Sequence, residues 1–201
     1  MRICAPLVLA LCGVVASGQA AAQHAASWRE VATAHDRERL RGWRSAWVEG
    51  LAAARTGGGT GAIAADPALF DPDRARNGAL PPAGAYRCRV VKLGVAAAHG
   101  FFRSGWGQCR VEVEGALLRL SRIDGMQRPT GLIFADGNGR AVFLGTMVLS
   151  DERRALGYGV DDARDMIGLV ERIGEARWRV ALPYPRFQST LDLVELVRAA
   201  S

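Results

Sequence analysis

Arginine is the residue type in this chain best placed to do chemistry. Arg87, Arg89, Arg128, Arg164, Arg172 and Arg179 recur beside Gln127, Trp178 and the carboxylates Asp161, Asp162, Asp165 and Glu171. A guanidinium offers a planar fork of donors that matches carboxylate and phosphate. If Arg128 and Arg164 converge from loops at one end of a barrel, they can grip a small anionic or amphipathic ligand. That reading makes Gln127, Arg128, Arg164, Asp165, Arg172 and Trp178 the ligand-binding candidates. The alternative is an internal network in which these arginines pair with Asp165 and Glu171, and the interspersed acids favour it.

Other chemistry is sparse. His24, His35 and His99 are the only histidines, and none neighbours a serine or cysteine nucleophile. The close acids Asp161, Asp162 and Asp165 suit acid–base work with an arginine, or a hard cation. The simpler reading is a polar loop that meets Arg164. Gly57 to Gly61 has no strand before it and no lysine-serine after it, so it is no phosphate loop. Asp136-Gly137-Asn138-Gly139 lacks the later acidic ligand of a calcium loop and suits a hairpin turn. No catalytic residue, metal site or cofactor is assigned.

The formal charge is +6, and Lys92 is the only lysine. The arginines lie among carboxylates, and no basic run is interleaved with aromatics. The excess is therefore read as a basic surface, with no nucleic-acid partner expected.

The N-terminus sets the expected address. Arg2, the apolar run Leu7–Ala16 and the small residues Ala20-Ala21-Ala22 follow the order of a secretory signal peptide over 1–22, too short for a stable span. No transmembrane segment is expected in the mature chain, which is read as periplasmic. A lipid anchor on Cys12 would need a small residue before it, and Leu11 is not small. After cleavage Cys88 and Cys109 remain, and an exported pair is expected to form a disulfide.

Residues 27–55 read as a helical segment, with Leu40, Trp43, Trp47 and Leu51 on one face, Asp36 as a cap and Gly57–Gly59 as the stop. Residues 56–85 read as a Pro/Gly-rich linker. From Tyr86 the period becomes two. In 108–114, Cys109, Val111 and Val113 alternate with Arg110, Glu112 and Glu114. Further strands are expected over 117–123, 130–135, 141–149, 166–173 and 177–182, and 190–197 reads as a strand or short helix. Short strands with tight turns predict a small antiparallel β-barrel over 86–198, lipocalin-like or avidin-like in outline. The chain is then mainly β with an N-terminal helix, α+β overall.

The blocks Tyr86–Gly94, Met126–Gly131, Phe143-Leu144-Gly145, Tyr158-Gly159, Arg164–Gly168, Glu171–Gly174 and Arg177-Trp178-Arg179 resemble the domain of unknown function 4893 family. The resemblance implies an exported protein, mostly alphaproteobacterial in company, and implies no activity. The expectation is an exported, non-catalytic barrel binding a small or amphipathic ligand. The alternatives are a hydrolase with an Asp/Arg site and an envelope protein acting through partner contacts of its tryptophan helix.

Overall fold

A computed structural model describes residues 27–186 and 189–199 of the 201-residue chain. The expected signal peptide, Cys12 and His24 lie outside the described residues.

Among the described residues nine strands form one antiparallel sheet: β1 (Gly84–Leu93), β2 (Phe101–Arg103), β3 (Gly107–Glu114), β4 (Leu117–Arg122), β5 (Gln127–Ala135), β6 (Ala141–Leu149), β7 (Asp165–Gly174), β8 (Arg177–Pro183) and β9 (Leu191–Arg198). From β3 to β9 each strand pairs with the next. β9 then pairs back onto β1, from Tyr86↔Arg198 to Leu93↔Leu191. Eight strands thus close into an up-and-down barrel, as the alternation predicts. The extra strand, β2, pairs with Val91–Leu93 of β1, while β3 pairs with Gly84–Cys88. Between β2 and β3 the chain bulges, held where the Ser104 N–H donates to the Val90 carbonyl at 2.9 Å.

The strand text separates two environments. β3 alternates buried and exposed as far as Val111 because its outer face meets water, while Val113, expected on the inner face, is exposed near the strand's end. β6 and β9 are buried on nearly every residue because helices cover their outer faces. Inside the barrel, Cys88, Val111, Ile133, Phe143, Val180 and Leu196 pack one core. The Cys88–Cys109 disulfide bridges β1 and β3 within it, with Cα atoms 5.7 Å apart.

The N-terminal segment, expected as one helix, is three: α1 (Trp28–Val31), α2 (Ala34–Arg41) and α3 (Trp43–Ala54). Thr33 caps α2 by accepting from the Asp36 N–H at 3.1 Å, so Asp36 is a first-turn residue and not the cap. Trp28, Ala32 and Leu40 pack on Phe134, Val142, Leu144 and Ile167. Trp47, Leu51 and Ala54 pack on Val91, Leu93, Ala181 and Leu193.

The stretch expected as linker holds two further helices, α4 (Thr60–Ala65) and α5 (Pro67–Phe70). Gly57 and Gly58 break helical geometry ahead of them, Gly58 at φ +88°. Beyond α5 the chain drapes across the lower end of the barrel. There Trp178 Nε1 donates to the Gly78 carbonyl, the Tyr86 hydroxyl donates to the Pro82 carbonyl, and Ala79 is buried.

Candidate functional site

The end where β1, β4, β6 and β8 finish is open. It holds a cavity of about 580 Å³, within the range of small-molecule sites. Strand alternation builds it. Val90, Pro129, Met147, Met166, Leu182 and Val194 project inward as an apolar wall. Lys92, Asp192, Arg122, Gln127 and Ser104 supply the polar groups. Met126, Met147 and Met166 all line the cavity, and they are every methionine of the chain beyond the initiator. Flexible thioethers suit a wall that adapts to its contents.

The sole lysine lies here. Lys92 and Asp192 face each other in the β1–β9 register, with Nζ 2.7 Å from Oδ2 and the Lys92 side chain only 11% exposed. The Ser189 hydroxyl donates to Oδ1 of the same acid at 2.5 Å. Burial pushes the Asp192 carboxyl above its ordinary range, and the Lys92 ammonium pulls it back. Arg122 is a second cation of the cavity, its side chain 10% exposed. Its Nε donates to the Asp124 carbonyl at 3.0 Å and to Oδ1 at 3.3 Å. Asp124 is itself fixed by the Gln108 N–H, 2.9 Å from Oδ2.

The residues expected to bind ligand are divided between the two ends of the barrel. Gln127 lines the cavity. Arg128 lies at the same end but is spent on backbone, donating to the carbonyls of Gly125, Ser150 and Glu152. It pairs with neither Asp165 nor Glu171. Arg164 binds Glu152 at 2.5 Å and Asp161 at 3.4 Å, tying down the β6–β7 loop. The Leu149 N–H, then Arg164, holds the Glu152 carboxyl below its ordinary range. Arg172 and Trp178 are at the far end, where Arg172 donates to the Gly174 and Glu175 carbonyls. Glu171 is paired as expected for a network, but with Arg140 and Arg179, each at 2.7 Å. Lys92, Asp192 and Arg122 escaped the sequence reading.

A second polar cluster lies outside the barrel. Tyr158 donates to Asp36 Oδ2 at 2.6 Å, and Arg39 pairs with Asp36 and donates to the Asp165 carbonyl at 2.7 Å. The Gly159 N–H lies 3.0 and 3.1 Å from the two Asp165 oxygens. Burial, with Asp36 and Asp162 adding repulsion, raises the Asp165 carboxyl, and burial likewise raises the Tyr158 hydroxyl. Each group is consumed in fastening α2 and the β6–β7 loop to β7. Asp161 caps the Ala163 N–H at 2.9 Å. Among the described residues no histidine, cysteine or carboxylate cluster could hold a metal.

The family model described as domain of unknown function (DUF4893) matches residues 28–196, from α1 to within β9. The chain belongs to that family. No curated protein matches the chain, and no solved structure does.

Proposed function

We propose that this member of the DUF4893 family is an exported, non-catalytic protein that holds a small apolar or amphipathic molecule in the mouth of its barrel. The supporting observation is the cavity itself, about 580 Å³, mostly apolar and lined by three methionines. Export is supported by the Cys88–Cys109 disulfide, which suits an oxidising compartment, and by the signal-like residues 1–22. Among the described residues no helix is long and apolar enough to cross a membrane.

The partner reading has less behind it. Trp47 is buried under α3, and Trp43 lies between Arg44 and Arg140, 4.5 Å from each guanidinium carbon. The hydrolase reading also has less, because Asp161 and Asp165 serve turns and loop anchors.

The test uses N-phenyl-1-naphthylamine, a neutral apolar fluorophore. The purified protein should enhance its emission at one saturable site. Met147→Trp, which fills the cavity, should abolish the enhancement while the protein stays folded by circular dichroism. Undiminished binding by a folded Met147→Trp protein would place the probe elsewhere and defeat the proposal.

A further inference from the structure

We infer that the molecule held in the barrel mouth bears an oxyanion head on an apolar tail, and that Arg122 is the residue that receives the head. The inference rests on the cavity being a binding site and adds the chemistry of its occupant.

Arg122 lies at the inward-facing end of β4 with its side chain nine-tenths buried. A buried guanidinium ordinarily satisfies most of its five donors. Arg179 engages more of its fork: Nε donates to Glu171 and Nη1 to the Leu69 and Asp71 carbonyls, while Nη2 faces Glu171 without a hydrogen bond. Arg122 differs. Only its Nε is engaged, by the carbonyl and carboxylate of Asp124. Both terminal nitrogens lack an acceptor among the described residues, and the residue lines an apolar cavity. The other Asp124 oxygen accepts from the Gln108 N–H at 2.9 Å.

The fork is thus held by one edge, leaving its terminal nitrogens for a bidentate oxyanion. Lys92 is held more closely, its ammonium 2.7 Å from Asp192, whereas Arg122 meets the Asp124 carboxylate through Nε alone, at 3.3 Å. The wall fixes the ligand's other half. Pro129, Met147 and Val194 offer no hydrogen-bonding side chain, so a tail entering beside them must be apolar. Arg128 and Arg164, at the same end, have their donors on carbonyls and on Glu152 and Asp161.

The experiment compares dodecanoate, dodecyl phosphate, dodecanol and acetate on the purified protein by isothermal titration calorimetry. At least one of the two dodecyl anions should bind about tenfold or more tighter than dodecanol, and acetate should not bind detectably. The tighter anion identifies the head as carboxylate or phosphate. Arg122→Met should erase the anion's advantage and leave dodecanol binding unchanged. If dodecanol binds as tightly as both anions to the unaltered protein, the oxyanion inference is overturned while the cavity reading stands. If none of the dodecyl compounds binds, both fall. An Arg122→Met protein that folds and keeps the full anion preference would also overturn the assignment.

Discussion

Lys92 and Asp192 meet across the seam that closes the barrel, Nζ 2.7 Å from Oδ2, on the wall of an apolar cavity. Every other basic side chain of the protein beyond its histidines is arginine. Breaking a buried pair on one side leaves a lone charge, at a cost of about 3–5 kcal/mol. Lys92→Met should lose stability of that order at neutral pH by urea denaturation. The loss should shrink as pH falls, because protonation removes the lone Asp192 charge. Pairing it with Asp192→Leu should restore most of the stability. A Lys92→Met protein as stable as the parent at pH 7 would contradict the buried pair.

Arg128 holds the rim. Its donors reach carbonyls on both flanking loops, Gly125 on one side and Ser150 and Glu152 on the other. Arg128→Ala should lower stability by about 1–2 kcal/mol, the scale of lost hydrogen bonds at a partly solvated site. The loss comes from freed carbonyls and not from an orphaned Asp165. Amide exchange should rise at Ser150, whose N–H bonds the Met126 carbonyl at 2.7 Å across the rim. Unchanged exchange there would show that the arginine does not brace the mouth.

Much of this arrangement was legible in the sequence, and the rest was hidden for definite reasons. The alternation at Cys109 and Val111 marks a barrel wall, though it fails at the exposed Val113, and the turn at Asp136–Gly139 joins β5 to β6. The same parity places Lys92 on the inward face with Tyr86, Cys88 and Val90. Its meeting with Asp192 depends on closure of β1 onto β9, which no local pattern encodes. Arg122 sits in a strand whose Arg119 pairs with Glu114 outside the barrel, and type alone does not distinguish them. Arg128 was invisible as a brace because its acceptors are backbone carbonyls. The stripe of Leu40, Trp43, Trp47 and Leu51, which helical spacing puts on one face, packs against the barrel. Its division into separate helices follows from Thr33, whose capping bond competes with helix continuation, and from Gly42.

Asp165 sets a pH dependence. Burial, with Asp36 and Asp162 nearby, raises its carboxyl above the ordinary 3.8. The folded state therefore holds this proton more tightly than the unfolded chain does. The stabilisation is fully present below the unfolded value and is lost as pH rises through the folded one. Asp165→Asn removes that titration and the repulsion with Asp36. Its stability relative to the parent should therefore improve as pH is raised from about 3.8. Urea midpoints of both proteins at several pH values measure this, and a difference that does not change with pH would refute it.

The Cys88–Cys109 bond stitches β1 to β3 below the cavity, just where the strand alongside β1 is interrupted. The bulge at Ser104 leaves β2 without β4 as a second neighbour, since β4 pairs with β3 from Cys109 onward. Ladder hydrogen bonds alone hold this corner weakly, and the cross-link compensates by limiting the unfolded chain. For a separation of 21 residues the loop-closure estimate is about 3 kcal/mol. The double variant Cys88→Ala, Cys109→Ala should fold and lose stability of that order. Its excess amide exchange should concentrate in β2 and the upper half of β1, which line the cavity through Phe102, Val90 and Lys92. N-phenyl-1-naphthylamine should then bind more weakly, because the wall it packs against opens more often. If the variant melts with the parent, or loosens uniformly, the disulfide is not what holds the split strand.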